Sequence, residues 1–181
     1  MARFRAMIQR IAAVDVGYFG DEANAAALIF SRWEQDKADL AFTSKITGIA
    51  SYEPGRFYLR ELPCILAVLR DVSPLPDLVL IDGYVWLDES SRQGLGAHLY
   101  QALQQQCTVV GVAKSRFFTG SNVAEVTRGR SRKPLFITCV GIDIEQAAQG
   151  VRNMHGKYRI PTLLKEADIL SRRILKRSGE N

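Results

Sequence analysis

Apolar residues cluster near the start of the chain in three stretches separated by short polar turns. Residues 9–19 (QRIAAVDVGYF) read as a buried strand, and 24–33 and 37–50 as two more, with turns at Gly20-Asp21-Glu22 and Glu34-Gln35-Asp36. Sequential strands on turns this short predict an antiparallel meander. Ser51-Tyr52-Glu53-Pro54-Gly55 carries a Pro-Gly turn signal. Beyond it, Leu59, Leu62, Ile65, Leu66 and Leu69 recur at helical spacing and predict a helix over 58–72 with one apolar face. Residues 76–83 form a nearly continuous apolar run ending in Asp82-Gly83, the pattern of a strand buried on both faces of an α/β sheet. A helix at 92–106, a strand at 108–112 running into Ala113-Lys114, a Gly- and Arg-containing excursion over 116–133, a strand at 134–141 and helices at 143–155 and 162–176 complete the pattern.

The order β-β-β-α-β-α-β followed by helices predicts an α/β fold. Its central mixed sheet has three antiparallel strands, then parallel ones, flanked by helices, which is the topology of the ribonuclease H-like fold. No internal repeat or linker divides the 181 residues, so residues 1–181 are expected to form a single domain. With 47% hydrophobic and 24% charged residues the composition is that of a folded globular chain. No apolar stretch reaches the ~18 residues that span a bilayer, and Asp15 interrupts the first apolar run, so a cytoplasmic protein without a membrane partner is expected. Cys64, Cys107 and Cys139 are odd in number and widely spaced, with only His98 and His155 as imidazole partners. Free buried thiols are expected, not a disulfide framework or a structural zinc site.

Charge changes the picture once it is divided by position. Residues 1–113 hold ten basic and thirteen acidic side chains, whereas 114–177 hold fourteen basic and five acidic, a net of +9 within an overall +5. A basic C-terminal third suits either a set of solvated helix faces or a phosphate-backbone surface.

Asp15 interrupts an otherwise apolar strand, where an unpaired carboxylate costs several kcal/mol by desolvation. Asp82 ends a buried strand at its carboxyl end, where open α/β sheets carry their sites. If the first and fourth strands are neighbours, the two carboxylates repel unless a cation intervenes, and oxygen ligands favour Mg²⁺ or Mn²⁺. Buried ion pairs with arginine are the other way to satisfy them. Glu61, in the first turn of the helix after the Pro-Gly loop, is a candidate third ligand, whereas Asp168 carries no signal of its own.

Seven blocks, in order and nearly in register over 11–173, resemble the endonuclease V family. They are Val14-Asp15-Val16-Gly17, the Tyr52-x-Pro54-Gly55 loop with Leu59-Arg60-Glu61-Leu62-Pro63, Pro76 to Gly83, Gly94-Leu95-Gly96-Ala97-His98-Leu99, Val110-Gly111-Val112-Ala113-Lys114, Lys133-Pro134-Leu135-Phe136, and Tyr158-Arg159-Ile160-Pro161 with Ala167-Asp168. The resemblance implies a metal-dependent endonuclease with Asp15, Glu61 and Asp82 as carboxylates for a catalytic Mg²⁺, which Mn²⁺ can replace. It further implies Lys114 near the reacting phosphate and Asp168 in the family's fourth site position. The implied reaction is hydrolysis of a phosphodiester one nucleotide beyond a deaminated base, notably hypoxanthine, on its 3′ side in DNA or RNA, as a step of DNA repair. Tyr52, Pro54 and Gly55 match the wedge loop that helps extrude the base, Gly55 and Gly83 match positions whose backbone approaches the flipped base, and Gly94 is a further candidate nucleic-acid contact. Arg92, Arg116, Arg132 and Arg159 are candidate backbone contacts. Nothing in the sequence fixes the oligomeric state, and a monomer fits it.

The chain departs from the family at Ser51, where the wedge has its first proline, and at Glu53, where it has an apolar residue. Between Asp82 and Gly94 it reads Gly-Tyr-Val-Trp-Leu-Asp-Glu-Ser-Ser-Arg-Gln, losing a histidine, a proline and an arginine of the family pattern. The alternative expectation is therefore a nucleic-acid-binding relative that takes a mismatch, branch or RNA, or that does not cut. The chain also begins close to its first strand, so specificity is expected from the Tyr52 loop and the stretch after Asp82.

Overall fold

The computed structural model describes residues 8–51, 53–54, 56–117 and 120–177, with side chains up to 173. In chain order the elements are β1 (Ile11–Phe19), β2 (Glu22–Phe30), β3 (Leu40–Thr47), α1 (Tyr58–Arg70), β4 (Leu78–Asp82), α2 (Leu95–Ala102), β5 (Thr108–Ala113), β6 (Ala124–Val126), β7 (Leu135–Val140), α3 (Ile144–Asn153) and α4 (Thr162–Arg177). They build one seven-stranded sheet in the order β3-β2-β1-β4-β5-β7-β6. The meander β1-β2-β3 is antiparallel, and β4 and β5 then add parallel to β1 and to each other.

The last part of the sheet departs from the expected parallel run, because β7 pairs antiparallel with β5. A parallel return needs a crossover on the order of a dozen residues, usually helical, and the described residues of 114–134 contain no helix. The expected excursion instead contributes β6, a three-residue edge strand that pairs with β7. Helix α2 is also shorter than the 92–106 expected. Trp86 bridges to Gln93 in a small hairpin ahead of it, and Gln104 and Gln105 beyond it adopt left-handed backbone.

Alternation along the strands divides the core in two. Ala12, Val14 and Val16 of β1, with Val79 and Ile81 of β4, face a cluster that includes Cys64, Ile65 and Val68 of α1 and Leu95 and Leu99 of α2. Ile11 and Ala13, with Leu78 and Leu80, face the cluster of Ala147 and Val151 of α3 and Leu163 and Ala167 of α4. Alanines at 23 and 25–27 keep β2 thin, and α1 and α4 pack on its two faces. All three cysteines are free; Cys64 and Cys107 are buried and Cys139 half-buried. Among the described residues no helix is long and apolar enough to cross a membrane.

Candidate active site

The β1–β4 ladder pairs Ile11 with Leu78, Ala12 with Val79 and Ala13 with Leu80. Asp15 and Asp82 lie two residues beyond the last pair on each strand. Two residues restore the face, so both carboxylates stand level at the carboxyl ends of adjacent parallel strands, on the α4 side. There they line a cleft with Lys114, which follows β5, and with Asp168 and Lys165 of α4; Leu135, Ile160 and Leu164 supply apolar wall.

Each carboxylate in the cleft has a partner. Asp15 accepts a 2.7 Å hydrogen bond from the Ser171 hydroxyl, Asp82 lies 2.5 Å from the Lys114 ammonium, and Asp168 is bridged by Arg172 and Lys165 at 2.5 and 3.3 Å. Burial, then the charges of Asp168 and Asp82, push the Asp15 acid above its usual range, against the pull of Ser171 and Lys114.

Glu61 reaches this group from α1, across the sheet from α4. It is 6% exposed, and its Oε2 is buried with no hydrogen-bond partner among the described residues. Burial and the neighbouring charges of Asp15 and Asp82 push its acid up to about 8, although Arg60 acts the other way. The implied ligands are thus close enough to feel one another's charge. Among the described residues, however, no three acidic, His or Cys side chains converge into a cluster able to hold a metal ion.

A second cavity of about 280 Å³ opens on the other side of Asp82. Gly83 and Gly94 line it, together with Phe57, Tyr58, Tyr84, Gln93 and Phe117. Gly83 has φ +135°, a left-handed conformation that favours glycine. At Gly94 a Cβ would lie 2.5 Å from the Tyr84 carbonyl oxygen. The Tyr84 hydroxyl donates to the Ser115 carbonyl at 2.9 Å and accepts from the Phe117 N–H at 3.0 Å, which ties the stretch after Lys114 to this wall.

The remaining candidates separate. Tyr52 and Gly55 lie outside the described residues, and Pro54 sits in an exposed turn. Arg92 and Arg132 are exposed, the former paired with Asp88 at 3.4 Å. Arg116 pairs with Glu125 and lies over the Phe136 ring, 5.2 Å from its centroid. Arg159 turns inward and donates to the carbonyls of Lys114 and Pro134, so its guanidinium holds backbone. Sequence reasoning missed Ser171 as the partner of Asp15. Its signal was present, because Ser171 falls on the buried stripe of Leu163 and Ala167 and interrupts it with a hydroxyl, much as Asp15 interrupts β1.

The endonuclease V family model matches residues 2–128. The endonuclease V of Streptomyces avermitilis is 30% identical over 195 residues, which cover 92% of this chain and 81% of the relative. A crystal structure of an endonuclease V from that organism superposes with a TM-score of 0.74 at 27% identity, covering 94% of this chain and 83% of that one. Ciona intestinalis endonuclease V, solved in complex with a 23mer DNA containing an inosine followed by a ribo-adenosine, gives 0.78 at 22% identity, covering 97% and 88%. Fold and relatives together define a nuclease of ribonuclease H-like architecture. The chain belongs to the endonuclease V family.

Proposed function

We propose that this protein is a Mg²⁺-dependent endonuclease that hydrolyses a phosphodiester bond of DNA or RNA on the 3′ side of a deaminated base, hypoxanthine first among them. The observation that carries the reading is the level pair Asp15 and Asp82, with Lys114 at 2.5 Å from Asp82 and, on the far side, Oε2 of Glu61, which has no partner among the described residues. A buried carboxylate oxygen without a donor is costly, and burial, with repulsion behind it, raises both Asp15 and Glu61. A hard divalent cation relieves both problems, so the chemistry of these oxygen donors suits Mg²⁺, or Mn²⁺ in its place, and binding would draw together three side chains that do not converge into a cluster among the described residues.

Asp15, Glu61 and Asp82 are the residues that would hold it. Bound there, Mg²⁺ supplies Lewis acidity toward the phosphate oxygens and the attacking water. Lys114 offsets negative charge that develops on the phosphate oxygens in the transition state. Ser171 orients Asp15 and favours its ionised form against the opposing effect of burial. The glycine- and aromatic-lined cavity beside Asp82 accepts the extruded base, at an unstacking cost of a few kcal/mol that a damaged or mismatched pair lowers.

The test is incubation of the protein with a single-stranded inosine-containing oligonucleotide and Mg²⁺ or Mn²⁺, with Asp15→Asn as the inactive control. Absence of cleavage with both metals sinks the proposal. A second reading, an endonuclease V relative that takes a mismatch, a branch or an RNA, draws on Tyr84 and Gln93 in the wall of the base cavity. Binding compared across inosine, mismatched and branched substrates separates the two.

A further inference from the structure

Tyr158 is the most exposed large apolar side chain among the described residues, at 69%. It stands on a segment that is held unusually firmly for a surface loop. The buried guanidinium of Arg128 donates to the carbonyls of Met154, Gly156, Tyr158 and Arg159. Arg159 anchors the same segment to the carbonyls of Lys114 and Pro134. Gly129 completes the clamp, since a Cβ there would collide with the Lys157 carbonyl. Two arginines of the basic third are therefore spent on immobilising backbone beside a ring that is left in water.

The ring opens onto a groove formed with Arg159, Ile160, Thr162, Lys165 and Glu166. Ile160 and Lys165 also line the cleft of Asp15 and Asp82, so groove and cleft adjoin and share a wall. The Lys157 ammonium lies 5.5 Å from the Tyr158 ring centroid. Exposed Arg130, Arg132 and Lys133 make no ion pair among the described residues and belong to the same basic third. A rigid exposed aromatic with cations around it is how proteins hold single-stranded nucleic acid, because every base has a π face and the backbone is anionic.

We propose that Tyr158 is a stacking platform for an unpaired nucleobase of the strand that occupies the cleft, with Lys157 beside it to meet the phosphate. The inference rests on the reading that the cleft takes a polynucleotide. In a duplex the base faces are covered by their neighbours, so the platform favours single strands and unpaired flanks. Preorganisation by Arg128 and Arg159 removes the ordering cost that a mobile loop would charge against binding.

The test measures binding of a short single-stranded DNA without any deaminated base, and of its duplex, by fluorescence anisotropy in EDTA. The wild-type protein, Tyr158→Ala and Tyr158→Trp are compared, with thermal melting as the folding control. Tyr158→Ala is expected to weaken the single strand roughly 5- to 100-fold and leave the duplex within about 2-fold, while Tyr158→Trp binds as wild type. A 2-aminopurine in the single strand is expected to be quenched by wild type and Trp and not by Ala. Unchanged single-strand binding by Tyr158→Ala, equal loss on both substrates, or equal loss in Ala and Trp overturns the proposal. Inosine cleavage by the wild type is scored separately. A protein that binds through Tyr158 yet never cuts leaves the platform standing and removes the proposed reaction, and a protein that cuts without it does the reverse.

Discussion

The hydroxyl of Ser171, on the last helix, donates to Oδ2 of Asp15, on the first strand, across 156 residues of sequence. The same hydroxyl lies 2.9 Å from the carbonyl of Asp168, so its one proton is divided between the carboxylate and its own helix. Asp15 is most of the way buried, and this bond is the largest influence holding its acid down. Ser171→Ala is expected to weaken Mg²⁺ affinity and cleavage by about 10-fold, the size typical for a residue that orients a metal ligand, and to cost about 1–3 kcal/mol of stability. Cleavage rate titrated against Mg²⁺, alongside calorimetry, checks both.

That hydrogen bond requires α4 to lie almost on the backbone of β1. A Cβ on Gly17 would stand 2.7 Å from the Ser171 carbonyl oxygen, and buried Asn24 on β2 donates to that same carbonyl at 2.9 Å. Gly17→Ala is expected to push α4 outward and cost about 1–3 kcal/mol, the usual penalty of overpacking. A lowered melting temperature together with a raised Mg²⁺ requirement is the expected signature; a loss of stability alone would show that α4 moves without disturbing Asp15.

Removing charge at the cleft is expected to separate binding from chemistry. Asp82→Asn keeps the shape and removes the anion that Lys114 approaches, so turnover is expected to disappear while oligonucleotide affinity persists. Lys114→Ala is expected to lower kcat by about 10²-fold or more, with affinity changed only a few-fold, because the ammonium acts mainly on charge that develops in the transition state. Single-turnover rates beside equilibrium binding distinguish the two effects.

The raised acid of Glu61 gives the metal-free protein a pH dependence of definite sign. Between the ordinary value of 4.5 and about 8 the folded chain holds a proton that the unfolded chain has released. Stability in EDTA is therefore expected to fall as pH rises through that window, and Asp15, also raised, adds in the same direction. Glu61→Gln is expected to flatten most of the slope, and saturating Mg²⁺ to do the same for the wild type. Melting temperatures between about pH 5 and about pH 8 measure it; a slope unchanged by Glu61→Gln would assign the effect elsewhere.

Basic residues of the C-terminal third are expected to fall into two kinds. Arg132→Ala removes an exposed cation with no ion pair among the described residues and is expected to lower the salt slope of oligonucleotide binding by about 1 without loss of stability. Arg128→Ala leaves carbonyls of four residues without their donor. It is expected to cost about 2 kcal/mol or more. Binding titrations over a salt series, with melting curves, tell them apart.

This division explains what could be read from sequence. Asp15 and Asp82 were legible because a carboxylate inside an apolar strand is anomalous by itself, and their shared level followed once β1 and β4 were taken as neighbours. The antiparallel return of β7 was not, since an apolar run of six residues looks the same in either direction and only the helix-free connection before it decides. Arginine at 128 and at 159 reads as positive charge in a sequence, and only coordinates reveal that these guanidiniums face carbonyls. Ser171 gave a one-residue break in a helical stripe, visible in retrospect once its partner is known.

The placement of Asp168 and Ser171 on α4 also has a temporal meaning. The sheet is complete in the chain by Val140, and the two aspartates of β1 and β4 can stand side by side from then on. The partner that steadies Asp15 and the fourth acid arrive only with the last helix. A chain emerging from the ribosome therefore carries its acidic pair without the Ser171 hydroxyl until α4 has been made. Competence for the proposed chemistry thus waits on α4 and not on the sheet alone.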